Sequence, residues 1–335
     1  MQISVLRPGL LTTLQDLGRY GFQKYGIIVS GGMDLYSLRI ANVLVGNDEA
    51  EAALEITLMG PSLMLEKGTL FAITGGDLSP KIDGIPVPTW RPVFLRQDSE
   101  LQFGPCTAGC RSYLAVAGGY GFSPVMGSKS TYLRAAIGGF HGRGLEKGDI
   151  LPLGNPGKKS RLLICQLENK MTKQPFSTTP WQAKASYITK QDRIRQVRVT
   201  RGRHFDYFTE ESQSRFFQEA FEITKNSDRM GYRLSGPTMK LKAPLEMVSE
   251  GIVLGTVQVP PDGNPIALVA DRHSVGGYPK IAQVIMADIP VLAQIKPGEK
   301  IQLREVSLEE AENIYLENEK MIQTIKTAIH LQIRG

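Results

Sequence analysis

Along most of the chain, apolar residues come in short runs bounded by Gly, Pro or Asp, a pattern that reads as strands. Leu70-Phe71-Ala72-Ile73-Thr74 and the stretch from Gly251 to Val259 are examples. Helical periodicity is confined to a few places. Asp34 is placed to cap a helix running through Leu44, with Leu35, Leu38 and Val45 on one face and Gly46-Asn47 as its stop. Thr209 is placed to cap another, carrying Phe216, Phe217, Ala220 and Phe221. Near the C-terminus, Ser307 and Glu310 form a capping box. Ala311, Ile314, Tyr315, Ile322, Ile325 and Ile329 then recur at helical spacing, which predicts a long helix lying against a barrel or against a partner.

The strand blocks repeat. Leu58-Met59-Gly60-Pro61-Ser62-Leu63-Met64-Leu65 is echoed by Leu234-Ser235-Gly236-Pro237-Thr238-Met239-Lys240-Leu241. Val5-Leu6-Arg7-Pro8-Gly9 precedes the first block, and Val199-Thr200-Arg201-Gly202-Arg203 the second. Leu114-Ala115-Val116-Ala117 and Leu268-Val269-Ala270-Asp271 follow them, and Gly148-Asp149 is matched by Gly298-Glu299. Matches in the same order over so long a period imply two copies of a domain rather than a solenoid. The expected organisation is residues 1–160, a polar linker or surface segment at 161–194, a second domain at 195–306, and a helix at 307–335. Within the linker, Lys170 to Gln191 carries no sustained period, and Trp181 is its expected anchor.

Composition adds turns and removes several classes of function. Glycine (35) and proline (20) in 335 residues exceed their usual share of about 12%, so an all-β-dominated fold with few helices is predicted. Mixed charges and frequent apolar runs exclude disorder for most of the chain. The start, MQISVLRPGLL, lacks the basic and apolar regions of an export signal, so the cytosol is the expected compartment. No apolar window is long enough to cross a membrane. Cys106, Cys110 and Cys165 suit neither a disulfide framework nor a zinc site, since no second Cys/His pair stands near CTAGC. A net charge of +6 permits anionic partners without demanding nucleic acid. The densest basic stretch, Lys190, Arg193, Arg195, Arg198, Arg201 and Arg203, has no interleaved aromatics for stacking; it reads as the solvated face of an edge strand.

Two segments imitate a phosphate loop without its spacing: Gly121 to Ser130 and Gly154 to Ser160. No dinucleotide fingerprint and no biotin-attachment lysine between methionines is present. Among the histidines, His273 stands beside Asp271 and Ser274, but neighbours in a strand point to opposite faces and seldom form a triad. The richest stretch is Glu250 to Ala282. Pro260-Pro261-Asp262-Gly263 predicts a turn between two strands. After the second strand, Asp271 to Tyr278 gathers an acid, Arg272, Ser274, Gly276-Gly277 and Tyr278. The glycine pair allows backbone N–H groups to approach an anion or oxyanion, or simply forms a tight turn. Ser30-Gly31-Gly32-Met33-Asp34 offers a similar loop before a helix N-terminus. Ser227-Asp228-Arg229-Met230-Gly231 is polar between apolar segments.

Taken together, SGGMDLYSLRIANVLVGN, EITLMGPSL, SDRMGYRLSGP, SEGIVLGTVQVPPDGNPI and ADRHSVGGYPKIA resemble the family that holds the C-type subunit of 5-oxoprolinase together with the KipI antagonist, a family similar to the carboxyltransferase region of urea carboxylase. The resemblance spans about residues 1–305. It implies two tandem cyclophilin-like β-barrels and two partners, the KipI-like B-type subunit of 5-oxoprolinase plus its A-type subunit. It also implies ATP as co-substrate in the conversion of 5-oxo-L-proline to L-glutamate. Other roles within reach of the same family are a regulatory protein that binds an inhibitor of a sporulation sensor kinase, and a component of biotin-dependent carboxyl transfer. The chain has His273-Ser274-Val275 where the family has Gln-Thr-Thr. Gln cannot take a proton at neutral pH, which argues against His273 as an essential base.

Opening an unactivated lactam requires a site that holds one carboxylate, polarises one carbonyl and stabilises developing negative charge. On the resemblance, Arg229 or Arg272 is expected to pair with the carboxylate, and Gly276-Gly277 to receive the oxyanion, with Tyr278 alongside. Asp271 or Asp228 is expected to orient water or the ring N–H as the catalytic acids of the site. Ser30 and Asp34 are expected to contribute to substrate binding.

Overall fold

The computed structural model describes residues 1–183 and 194–334. It is mostly β, with 32% strand and 23% helix, and it divides into two compact units. Among the described residues, the first comprises 1–19, 30–183 and 321–334; the second comprises 20–29 and 194–320. These boundaries depart from the expected ones in three places, the first being that the described residues from 161 to 183 fall within the first unit. Residues 20–29 belong to the second unit, and the C-terminal helix is shared between the two.

Unit 1 is built from two six-stranded sheets. One runs, in spatial order, through Ile150–Pro152, Gln2–Arg7, Ser62–Leu65, Ser99–Gln102, Lys81–Ile82 and Ile85–Pro86. The other runs through Phe176–Thr178, Pro92–Leu95, Leu70–Asp77, Ala108–Val116, Ala53–Thr57 and Leu11–Gln15. Ile3, Val5, Leu63, Leu65 and Leu101 of the first sheet share a core with Leu14, Ile56, Phe71, Ile73 and Leu114 of the second. The second sheet is covered on both faces. Its alternate positions, Ala53, Leu70, Ala72, Tyr113 and Ala115, face a separate cluster with α1 (Leu35–Leu44), α2 (Lys158–Glu168) and the end of α5 (Leu308–Arg334). This explains why Ala108–Val116 is buried at every position and why its apolar runs lack strict alternation.

Unit 2 closes completely. Its barrel runs Ile194–Arg201, Lys280–Val284, Thr256–Gln258, Ile266–Leu268, Gly231–Ser235, Ala220–Ile223 and Lys300–Glu305, the last returning parallel to the first. The two halves therefore share strand-rich architecture but not every pairing. Gln2–Arg7 lies antiparallel to Ile150–Pro152, whereas Ile194–Arg201 lies parallel to Lys300–Glu305. The repeated Gly-Pro serves one purpose in both. A β-carbon on Gly60 would strike Phe103, and one on Gly236 would strike Phe221.

Helices α1, α3 (Glu210–Gln218) and α5 start where the capping residues predict. Asp34 accepts from the Ser37 N–H at 2.9 Å, Thr209 from Ser212 at 3.2 Å, and Ser307 from Glu310 at 3.0 Å. The remaining helix is the short α4, Ile289–Ala293. Three expectations are corrected. Ala220 and Phe221 are not helical; they start the barrel strand Ala220–Ile223, whose alternation buries Phe221 and Ile223. Within 161–194, the described part contains most of α2 and the strand Phe176–Thr178, hydrogen-bonded to Pro92–Leu95. Trp181 packs against the helix-side cluster as expected. The basic strand Ile194–Arg201 is not an edge, being paired on both sides, and Arg195 is buried on the same face as Val197 and Val199 while Ile194 is exposed. Arg198 is bound to Asp288. Lys190 and Arg193 lie outside the described residues.

Gly75 marks the tightest point of the second sheet. It has φ of +79°, opposes Ser112 at a register shift, and a β-carbon there would meet the Arg111 carbonyl. Gly75→Ala is expected to lower stability by about 1–3 kcal/mol, read from the urea midpoint; an unchanged midpoint would show that the sheet relaxes freely there.

Candidate functional site

The hairpin predicted around Pro260–Gly263 is present. Thr256–Gln258 pairs with Ile266–Leu268, and Gly263, at φ +79°, donates its N–H to the Pro260 carbonyl at 2.9 Å. Beyond the hairpin, Val269 donates to the Met230 carbonyl and Asp271 to that of Arg229, at 3.0 and 2.7 Å. This ladder brings together two loops that are 42 residues apart in sequence, Ser227–Gly231 and Asp271–Tyr278.

Where the loops meet, Arg229 grips Asp271 bidentately: Nε donates to Oδ2 at 2.9 Å and Nη2 to Oδ1 at 3.0 Å. Both side chains are buried. The two groups expected to hold substrate carboxylate and water are therefore engaged with each other. Asp228 is exposed, and its Oδ1 accepts the N–H groups of Met230 and Gly231 at 2.8 and 3.2 Å. That is a turn-forming carboxylate. Arg272 differs from all of these. It is half-buried, its Nε has no acceptor among the described residues, and Nη1 reaches only the Val269 carbonyl at 3.4 Å. Burial lowers its pKa, opposed by Tyr20. His273 is exposed.

Gly276 and Gly277 do not supply the left-handed turn that was one of their two readings. Val275–Gly276 forms a two-residue ladder with Glu250–Gly251, and a β-carbon on Gly276 would strike Ile252. Gly277 and Tyr278 line a cavity of about 630 Å³ together with Phe208, Met239, Lys240 and Pro260. The short ladder is tied down by Glu250, which receives Lys280 Nζ at 2.8 Å and lies 3.4 Å from Arg203. His204 sits beside this group, its Nδ1 accepting the Lys280 N–H at 3.2 Å.

Ser30 and Asp34 belong to unit 1. Ser30 has φ of +57° and donates from Oγ to the Thr131 carbonyl at 3.0 Å. Asp34 is fully buried and holds both the N–H and the hydroxyl of Ser37. The helix N-terminus expected to attract an anion thus already carries its own carboxylate. A second one lies just behind it. Glu55 Oε2 accepts from the Met33 N–H at 2.7 Å and from the Tyr113 hydroxyl at 2.8 Å, and that hydroxyl accepts from the Asp34 N–H at 2.7 Å. Burial, then Glu55 and Asp34, push the Tyr113 pKa well up and keep it a donor. Glu55 and Tyr113 were not singled out in the sequence; the usable signal was a lone carboxylate inside the apolar strand ALEIT. Asp16 was missed likewise. Its carboxylate collects Gly18 N–H, Lys129 N–H, Ser128 Oγ and Ser130 Oγ within 2.5–2.8 Å. Gly121 to Ser130 therefore presents three of those donors to Asp16, and Lys129 Nζ binds Glu51 at 2.7 Å. Its fit to a phosphate is poor.

This strand-rich pair of units, with its loop cluster on the second, belongs to the carboxyltransferase domain family, subdomains A and B, which the sequence matches over residues 25–305. Among its relatives is the C-type subunit of 5-oxoprolinase from Escherichia coli (strain K12), 37% identical over 329 residues, which cover 98% of this chain and 99% of that protein. Its counterpart from Haemophilus influenzae is 36% identical over 98% of both chains. Urea amidolyase of Saccharomyces cerevisiae is 34% identical over 93% of this chain but only 17% of its own length. The solved structure of Kluyveromyces lactis urea amidolyase superposes with a TM-score of 0.85 at 32% identity, covering 97% of this chain and 20% of that one. Among the described residues, no helix is long and apolar enough to cross a membrane.

Two outcomes test the loop cluster. Asp271→Asn or Arg229→Met alone is expected to cost about 3–5 kcal/mol in urea unfolding, because each leaves a buried charge unmatched. The combination of Arg229→Met with Asp271→Leu should restore most of the loss; strictly additive losses would mean the pair is not coupled. Burial depresses the His204 pKa below its ordinary 6.5, with Glu250 opposing. The unfolded chain therefore takes up the proton first as pH falls. Stability from neutral His204 is complete above the ordinary value and lost as pH drops through the depressed one. Between about pH 7.5 and 5.5, the His204→Gln variant should show a shallower decline of the unfolding midpoint than the parent.

Proposed function

We propose that this chain is the C-type subunit of an ATP-dependent 5-oxoprolinase, acting with the A-type and the KipI-like B-type subunits to convert 5-oxo-L-proline to L-glutamate. The observation that carries the reading is the end-to-end match to the Escherichia coli 5-oxoprolinase component, 98% of this chain on 99% of that protein. The urea amidolyases share the fold, but the aligned region is a fifth or less of their length. A carboxyl-transfer role is the second reading, favoured by the close superposition on urea amidolyase.

The chemistry accounts for the need for ATP. A five-membered lactam carbonyl is a poor electrophile, and transfer of the γ-phosphoryl group to its oxygen, with release of ADP, activates it. Water then adds to the carbonyl carbon and the C–N bond breaks. The nitrogen takes a proton to become the amine of glutamate. A second water cleaves the remaining acyl phosphate, giving the side-chain carboxylate and phosphate. What a protein contributes is a fixed carboxylate contact, polarisation of the carbonyl and exclusion of stray water. The loop cluster of unit 2 supplies a frame for such a site: a buried ion pair, Arg272 without a counter-charge among the described residues, and a cavity lined at the far end of the same loop by Gly277 and Tyr278. Asp271 acts in this frame by fixing the loop.

Purified chain is to be combined with the A-type and B-type subunits, 5-oxoproline and ATP, with each component omitted in turn. Glutamate and phosphate are expected in equal amounts from the full mixture, with loss of at least about 100-fold in rate when this chain is left out. Equal glutamate without it would remove the assignment. ATP-dependent carboxylation of urea, with a biotinylated carrier supplied and no action on 5-oxoproline, would favour the second reading.

A further inference from the structure

Two arginines stand at the loop cluster of unit 2, and the geometry separates them. Arg229 has its fork closed on Asp271, and the Asp271 N–H also returns to the Arg229 carbonyl. Charge and directional donors are used within the fold. Arg272 follows Asp271 directly but makes no ion pair with it, and the Asp271 carboxylate is held by Arg229. Among the described residues no carboxylate lies within ion-pair distance of Arg272. Its Nε is buried without an acceptor, and Nη1 makes one long contact of 3.4 Å to a carbonyl. Burial lowers its pKa, and the one opposing influence is the phenol of Tyr20, itself well exposed.

A half-buried guanidinium held this way is under-satisfied. Desolvation has been incurred without a counter-charge, and a carboxylate arriving from solvent would gain a charge-assisted contact in a partly water-excluded place. We propose that Arg272, and not Arg229, is the specificity-determining residue that receives the carboxylate of the small lactam acid. Arg229 is a structural partner of Asp271. This assignment rests on the functional reading above and adds to it the group that recognises the substrate's one obligatory negative charge. A planar, fork-shaped donor also explains why arginine rather than lysine stands there.

The test compares 5-oxoproline with 2-pyrrolidinone, the same lactam without its carboxylate, in the reconstituted complex of all three components. Arg272→Gln is expected to raise KM for 5-oxoproline by about 10- to 100-fold, the range for one lost hydrogen-bonded ion contact. The smaller change should be in kcat. The preference for 5-oxoproline over 2-pyrrolidinone in kcat/KM should fall by a similar factor, and KM for ATP should stay within about twofold. Arg272→Lys is expected to recover only part of the preference. Both variants should melt near the parent temperature, since no internal ion pair is broken, whereas Arg229→Gln should melt well below it.

Should Arg272→Gln fail to fold, the lysine variant, and the response of the Arg272 Nε–H resonance to 5-oxoproline but not to 2-pyrrolidinone, decide the matter. A parent complex that makes no glutamate would overturn the functional reading, and this assignment with it. An active complex whose Arg272 variants keep the parent's preference would overturn this assignment alone. So would a variant whose defect lies in KM for ATP, which would make Arg272 a phosphate contact.

Discussion

Carboxylates removed from water must be given donors, and in both units this requirement fixes the loops that matter. Asp16, Asp34 and Glu55 in unit 1 and Asp271 in unit 2 are all buried. Asp34 is held by the first turn of its own helix, and the others by groups from distant segments: Asp16 by the stretch around Ser128 to Ser130, Glu55 by Met33 and Tyr113, Asp271 by Arg229. Because a buried charge without partners would be strongly unfavourable, such contacts act as pins between loops that local turn chemistry alone would leave variable.

The sheets provide the stage on which those pins are set. In unit 1 the strand Ala108–Val116 is buried on both faces, so Tyr113 is directed to the helix side while Leu114 faces the sheet-on-sheet core. Tyr113 can reach Glu55 and the start of α1 only because of that alternation. In unit 2 the closed barrel leaves no free sheet edge among its seven strands. Its connecting loops, not its strands, carry the exposed polar chemistry.

The candidate site was partly legible in the sequence. Ser227–Gly231 and Asp271–Tyr278 stood out as polar loops between apolar strands, and the Pro260–Gly263 turn is where its residues place it. The roles within those loops were not legible. Arg229 and Arg272 are the same residue type in similar surroundings, and only the bidentate contact of Arg229 with Asp271 tells them apart. Gly276 similarly looked like an anion-binding glycine, yet its lack of a side chain serves close packing against Ile252.

The strand-rich class, the three capped helices, the doubled Gly-Pro blocks and the hairpin turn were determined by sequence alone, because short-range physics governs them: apolar period, side-chain capping and turn conformation. Barrel closure by a parallel pairing of Ile194–Arg201 with Lys300–Glu305, the inward face of Arg195, the strand at Ala220–Ile223 and the long-range partners of the buried charges were decided only by tertiary structure. The reason is that these depend on which segments, far apart in the chain, are brought within hydrogen-bonding distance, and no local pattern of residues encodes that proximity.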